Sequence, residues 1–270
     1  MKIKIASIGD CCIDVYPKEK KKFPGGTAYN VAFNAQKAGA NVSIVSAIGD
    51  DLSAQIFHQA LKKNNINTKY LSVIHGATSS VEITINKKGK PSYSNWDLGV
   101  LKKFKLNNFH QKFFSNQHIV HAVLFRPIEH IFNRFYQMRL PNTFKVGDFA
   151  GASEYSHGTS IINNYVNNLD LIVKSIDKSD NKSLGYFKNL AKNYKKMILV
   201  LMGNKGSIIF DKDKFYFQKS INIKVKDTTG AGDAYIAYFL VNYYQKKDIK
   251  ESMFRAASEA SKSVFHLGAI

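Results

Sequence analysis

The stretch Lys226-Asp227-Thr228-Thr229-Gly230-Ala231-Gly232-Asp233, running on into AYIAYFLVNYY at 234–244, decides how this chain is read. The run after Asp233 has helix length and almost no polar face, so it reads as a buried helix. Gly230, Ala231 and Gly232 open that helix with side chains too small to cover the backbone. The first N–H groups of a helix lack carbonyl partners and sit at the positive end of its dipole, so this entry suits an anion. Asp233 falls in the first turn, beside any anion bound there. A carboxylate so placed can act as base toward a hydroxyl during phosphoryl transfer. It can equally cap the helix, a common role for Asp.

A helix buried on all sides needs layers around it. The short apolar runs Ile3–Ile8, Asn41–Ala47, His118–Leu124, Thr143–Phe149, Leu169–Lys174 and Met197–Met202 read as strands, most of them apolar enough to be covered on both faces. Helical patterns separate or follow them at Ala28–Ala38, Ser53–Asn64, Ile128–Arg139, Lys182–Lys195, Ala234–Tyr244 and Ile249–Phe265. Such alternation implies βαβ crossovers and a parallel sheet with helices on both sides, an α/β fold. The region Ala77–Asn95 breaks the rhythm: SSVEITINKKGKPSYSN reads as two alternating strands about the turn Lys87-Lys88-Gly89-Lys90. One polar face suggests antiparallel strands standing partly away from the main sheet, as a lid or as a plain edge hairpin. No internal repeat or low-complexity linker divides the 270 residues.

Composition narrows the class. Lys and Arg number 39 against 20 Asp and Glu, a formal charge of +19. That excess invites nucleic acid or an anionic membrane as partner. Only Arg126, Arg134, Arg139 and Arg255 are arginines, however, and the lysines are scattered among asparagines, as in KKNNINTK. Base readout and bidentate phosphate clamps favour guanidinium, so a general lysine and asparagine bias is the better reading, with no nucleic-acid partner. The positive field still attracts a phosphorylated ligand. No run approaches the roughly 18 apolar residues of a membrane span, and MKIKIASIGD has no signal-peptide core, so a cytoplasmic protein without membrane contact is expected. Cys11 and Cys12, the only cysteines, are adjacent and cannot staple distant segments or complete a zinc site; they read as half-buried residues after the first strand.

Three ordered motifs carry a resemblance. DTTGAGD at 227–233 resembles the C-terminal signature of the ribokinase-like, PfkB-type carbohydrate kinases. Pro24-Gly25-Gly26-Thr27-Ala28-Tyr29-Asn30-Val31-Ala32 is similar to that family's G-G-x-x-x-N-x-A element, and Leu199–Ser207 resembles the strand and turn that lie under the nucleotide. The stretches IGDCCIDVYP at 8–17, IVHAVL at 119–124 and KSVFHLGAI at 262–270 are most similar to the family's fructoselysine 6-kinase branch.

The resemblance implies a ribokinase-like three-layer α/β/α fold over 1–270, one kinase domain with a mostly parallel central sheet and a small β lid from about 10–26 and 77–96. It implies a kinase using ATP and Mg2+ to phosphorylate a sugar or sugar–amine hydroxyl, with fructoselysine or a related fructosamine at O6 as acceptor. A plain ketose, ribose or a nucleoside stays open as acceptor, as does an inactive sugar-binding regulator. Asp233 matches the catalytic base, and Gly230, Ala231 and Gly232 supply the anion-hole amides. Asp14, Gly25, Gly26 and Asn30 match the positions that hold sugar hydroxyls. A carboxylate and a carboxamide suit vicinal hydroxyls and paired glycines admit a sugar to the backbone, although glycines also simply make turns. Leu201, Gly203, Asn204, Lys205 and Gly206 would flank ATP. Asp227 and Thr229 match a monovalent-cation site, with K+ as the ion, and the lid offers a surface for a homodimer.

One departure stands out. Relatives often carry N-x-x-E after the fifth core strand, tied to magnesium and phosphate. Here the region reads LDLIVKSIDKSD at 169–180, leaving Asp177 or Asp180 as substitutes acting through water. Among other candidates, His118 and His121 stand at i and i+3 on a strand and point to opposite faces, so they cannot share a metal. Asp148 ends a core strand where α/β sheets place ligands, either touching the site or capping a turn. Trp96 follows the hairpin as a stacking platform or as packing. The absence of a P-loop lysine motif and of G-x-G-x-x-G argues against P-loop kinases and dinucleotide enzymes.

Overall fold

A computed structural model of the chain describes residues 2–151, 158–176, 181–221 and 223–270. The first half runs β1 (Lys4–Ile8), β2 (Cys12–Tyr16), β3 (Lys21–Gly25), α1 (Thr27–Lys37), β4 (Asn41–Ile48), α2 (Leu52–Lys63), β5 (Asn67–Val73), β6 (Ser80–Ile85) and β7 (Pro91–Asp97). Next come α3 (Asn108–Phe114), β8 (Ile119–Val123), α4 (Glu129–Gln137), β9 (Phe144–Asp148) and β10 (Leu171–Ser175). The chain closes with α5 (Asn181–Tyr194), β11 (Met197–Leu201), β12 (Ser207–Asp211), β13 (Lys214–Gln218), α6 (Ala231–Lys246) and α7 (Ile249–Ser263).

Nine strands form the main sheet in the order β13-β12-β11-β10-β9-β8-β1-β4-β5. From β11 to β5 every pairing is parallel, whereas β12 and β13 return antiparallel as a hairpin edge. The apolar β11 shows why the sheet is sandwiched. Met197, Leu199 and Leu201 point into one core with α1, α6 and α7, while Ile198 and Val200 point into the other with Phe132, Phe135 and Phe187 from α4 and α5. Period-2 alternation in an all-apolar strand demands helices on both sides, giving three α/β/α layers. Helix α6 lies between α1, α7 and the sheet, as its nearly unbroken apolar sequence requires.

A second sheet of four strands, β3-β2-β6-β7, stands apart. It contains the 77–95 hairpin, and the pairing of β2 with β6 is parallel. Cys12, Tyr16, Val81 and Ile83 make its small core, with Phe23, Trp96 and Leu267 packed alongside. Cys11 and Cys12 are fully buried rather than half-buried, because Cys11 packs into the main core and Cys12 opens β2 facing this smaller one. The helix expected at Ile128–Arg139 is α4, Glu129–Gln137, preceded by a short 3-10 turn at Arg126–Ile128 that holds Pro127. The expected strands omit β5, β12 and β13; β5 and β13 are largely exposed, whereas β12 carries the apolar run Ile208-Ile209-Phe210 with Ile209 and Phe210 buried. Among the described residues, no helix is long and apolar enough to cross a membrane.

Candidate active site

Between the two sheets lies a cavity of about 260 Å³. The carboxyl ends of the parallel strands open onto it: Asp10 follows β1, Phe125 follows β8, Asp148 ends β9 and Ser175 ends β10. β1 and β8 are neighbours from which the sheet is built in opposite directions, the crevice where open α/β sheets place ligands. The small sheet supplies the roof through Cys12, Asp14, Val81, Tyr93 and Trp96. The first turn of α6 supplies Gly230, Gly232 and Asp233.

Asp233 is held by α1. The Asn30 amide donates to its Oδ2 at 2.8 Å, and the Asn30 backbone N–H is itself fixed to the Gly26 carbonyl at 2.9 Å. Burial holds the Asp233 carboxyl well above the usual carboxylate range; Asn30 opposes this, while Asp148, Asp10 and Asp14 add to it. Gly230 adopts φ 73°, and a Cβ there would meet Ala269 at 2.5 Å, so the C-terminal residues pack directly under the helix entry. The Ala231 N–H turns back to the Thr228 carbonyl at 3.2 Å. Helix geometry leaves the Gly232 and Asp233 N–H groups for an anion.

Asp14 is buried, and the same desolvation, reinforced by Asp10 and Asp227, pushes its carboxyl well up. Gly25 exists for this carboxylate: a Cβ on it would sit 2.2 Å from Asp14 Oδ2. Gly25 is thus packed beneath Asp14 rather than lining the cavity, whereas Gly26, at φ 91°, both lines the cavity and lets α1 start against the Asp10 backbone. Asp10 itself went unremarked in the sequence. Its Oδ2 accepts the Thr27 N–H at 3.2 Å, its Oδ1 has no partner, and burial raises its pKa to about 6. The only local signal was an aspartate directly after an apolar strand, the position that opens onto a sheet crevice.

Tyr93 and Phe125 were also missed. Tyr93 is 41% exposed as a residue, but it reaches from β7 over the cavity, where desolvation of its phenol and the nearby charges of Asp14, Asp233 and Asp227 raise it. Trp96 donates from Nε1 to Ser79 Oγ at 3.1 Å and meets Phe125 edge-on with centroids 5.5 Å apart, so it packs and lines the cavity at once. Asp148 likewise does both things: it accepts the Ala150 N–H at 2.8 Å and faces the cavity, with His121 Nε2 3.6 Å from its Oδ2. His118 points elsewhere, accepting the Lys4 N–H and stacking on Tyr244.

Asp227 is a hub rather than an open ligand. Its carboxylate accepts the Thr229 N–H at 2.8 Å, the Thr229 hydroxyl at 2.6 Å, the Tyr16 hydroxyl at 2.9 Å and the Gly268 N–H at 3.0 Å. Four donors fill its lone-pair positions, joining the small sheet, the α6 entry and the C-terminus. The hairpin turn docks next door, where the Thr228 N–H and hydroxyl both donate to the Gly89 carbonyl, at 2.9 and 3.1 Å. Leu201, Gly203, Asn204, Lys205 and Gly206 form the β11–β12 turn outside the cavity wall. Of these, Leu201 adjoins the α6 entry, where a Cβ on Gly232 would lie 3.7 Å from its side chain. Gly206, at φ 97°, has no room for a Cβ against the Gln218 carbonyl. Asp177 and Asp180 lie outside the described residues. Among those that are described, no three His, Cys, Asp or Glu side chains converge as a metal cage.

Comparison with known proteins identifies the family and the fold. The model of the pfkB family carbohydrate kinases matches residues 2–130 and 154–270. A fructoselysine 6-kinase of Shigella flexneri is 26% identical over 265 residues, covering 98% of both chains. A fructosamine kinase of Bacillus subtilis is 26% identical over 271 residues, covering 99% of this chain and 93% of its own. The structure of Arabidopsis thaliana ribokinase complexed with ribose and ATP superposes with a TM-score of 0.80 at 20% identity, covering 100% of this chain and 95% of its own. The ribokinase-like fold is therefore that of the present chain.

Proposed function

Because the chain belongs to the pfkB family of carbohydrate kinases, we propose that its cavity phosphorylates fructoselysine or a related fructosamine at O6, with ATP as donor. The observation that carries the chemistry is Asp233, buried beside the bare amides of α6 and held at one oxygen by Asn30. Its other oxygen takes the proton of the acceptor hydroxyl. Burial makes Asp233 a stronger base than an exposed carboxylate, at the cost of needing a higher pH to stay ionised. Asn30 fixes its direction, and Asp14 and Asn30 hold the neighbouring hydroxyls. Two relatives matched over nearly their full length, a fructoselysine 6-kinase and a fructosamine kinase each 26% identical, are what favours this acceptor over other sugars.

ATP supplies the phosphoryl group. The amides of Gly230, Gly232 and Asp233 would hold it during transfer, the Ala231 N–H matched in the motif being instead turned to the Thr228 carbonyl, and Leu201 with Gly203–Gly206 would flank the nucleotide. Mg2+ would neutralise phosphate charge. Asp148 is the cavity carboxylate suited to it, since Mg2+ keeps several waters and needs few protein ligands. A monovalent cation such as K+ would use the backbone carbonyls of Asp227 and Thr229, because the Asp227 carboxylate is already filled. We read residues 1–270 as one kinase unit in which the small sheet acts as a lid, excluding water with Tyr93 and Trp96.

The test is ADP release with Mg-ATP on fructoselysine, other fructosamines, fructose, ribose and adenosine. Turnover confined to fructosamines is the expected result. Turnover on another acceptor retains the kinase and replaces the substrate. Silence on every compound, with no thermal stabilisation by any of them, would overturn the assignment.

A further inference from the structure

The cavity inverts the charge of the protein around it. The chain carries 39 Lys and Arg against 20 Asp and Glu. Yet Asp10, Asp14, Asp148 and Asp233 line the cavity, and among the described residues no lysine, arginine or histidine does. These carboxylates are spread round the wall rather than gathered into a metal cage. Asp148 has His121 3.6 Å away and feels Lys174, whereas no basic group acts on Asp10, Asp14 or Asp233; desolvated like charges without an opposite charge are unfavourable, so that part of the cavity favours a cation.

Asp10 shows the deficit at a single atom. It is 4% exposed, its Oδ2 accepts the Thr27 N–H, the backbone N–H groups of Asp10 and Ala28 also favour its charge, and its Oδ1 is buried outside hydrogen-bonding geometry. A sugar hydroxyl gives a hydrogen bond but no charge. A protonated amine gives both, and charge-assisted bonds to carboxylates are the stronger ones. The cavity also presents Tyr93, Trp96 and Phe125, and aromatic walls favour an organic cation over a neutral hydroxyl.

We infer that Asp10 is a specificity-determining residue that receives the protonated amine of a sugar–amine adduct, so that the enzyme selects its acceptor by charge. The inference rests on the fructosamine-kinase reading and adds to it the group that makes the selection. In the free protein, burial accordingly leaves the Asp10 carboxyl raised to about 6; the bound amine offsets that penalty.

The experiment compares 1-deoxy-1-propylamino-fructose with its N-acetyl derivative, which keeps the substituent and loses the charge, on the wild type and Asp10→Asn. Asn at this position retains an oxygen acceptor for the Thr27 N–H. The wild type should favour the amine by about 10- to 100-fold in kcat/KM, the range for one charged hydrogen-bond partner. Asp10→Asn should bring the two acceptors within about threefold of each other. An absent preference in the wild type, or one kept in the variant, overturns the inference. If neither compound is phosphorylated, the kinase reading of this acceptor fails, and thermal stabilisation by the same pair decides. Greater stabilisation by the amine in the wild type alone supports the role of Asp10, and equal shifts, including none, refute it. Asp10→Ser serves in the same comparison if the Asn variant does not fold.

Discussion

Gly25→Ala isolates one steric contact at the acceptor end of the site. Gly25 ends β3 with a backbone open to alanine, so no conformational strain enters. The added Cβ would lie 2.2, 2.3 and 2.4 Å from Oδ2, Cγ and Oδ1 of Asp14, where ordinary contact begins near 3.4 Å. Asp14, 3% exposed, cannot swing into solvent, so either β2 or its carboxylate must shift by roughly an ångström. Overpacking of this kind costs about 1–3 kcal/mol. For a chain this size that is a fall of about 2–10 °C in Tm. Displacing Asp14 also loses a charged hydrogen bond to the acceptor, worth about 1.5–3 kcal/mol. That corresponds to a drop of about 10- to 100-fold in kcat/KM, felt mainly in KM. Thermal unfolding and initial-rate kinetics measure both effects, and a cycle with Asp14→Ala tests their common cause. Once the carboxylate is gone, the stability cost of Gly25→Ala should shrink to within about 0.5 kcal/mol. An equal cost in both backgrounds would refute the account of Gly25 as the space for Asp14.

Three further outcomes follow from the same geometry. Asp10 binds its proton more tightly folded than unfolded, because its native pKa is about 6 against a usual 3.8. It therefore costs stability above pH 6, up to about 3 kcal/mol, and the cost is relieved as pH falls through 6 toward 4. Asp10→Asn should raise the Tm of the ligand-free protein near pH 7.5 and gain less near pH 5; a lowered Tm at both would contradict this. Thr228→Val removes the hydroxyl bond to the Gly89 carbonyl and leaves the backbone bond. It should lower kcat/KM by about 2- to 10-fold, the worth of one neutral hydrogen bond in the closed lid, and unchanged kinetics would show that the turn takes no part in closure. The acid limb of kcat should lie above the usual carboxylate range, since Asp233 must be ionised and burial raises it; an acid limb at an ordinary carboxylate pH would count against Asp233 as the base.

Sequence order and structure agree where the information is local. The Gly230–Asp233 entry, the buried α6 and the alternating faces of β11 were all legible, because helix and strand periodicity state directly which sides are covered. What could not be read depends on distant segments meeting. Tyr93 sits in a half-exposed hairpin and becomes a cavity residue only when that hairpin folds over α6. The docking of Gly89 on Thr228 spans 139 residues, and the Tyr16 bond to Asp227 spans 211. Asp227 resembled an ion ligand in its motif, but the C-terminal Gly268 and the β2 hydroxyl have filled its carboxylate. Gly25 and Gly26 looked equivalent as a pair. Their different neighbours, Asp14 under one and the Asp10 backbone under the other, give them separate tasks.

Asp233→Asn tests the central claim most directly. The change keeps the size of the side chain and its place in the first turn of α6, while removing the group that accepts the proton. Turnover of the best acceptor should fall by about 10²- to 10⁴-fold, the usual share of a general base, with ATP affinity held within a few-fold. Turnover within about threefold of the wild type would contradict the assignment of Asp233 as the base and the mechanism built on it.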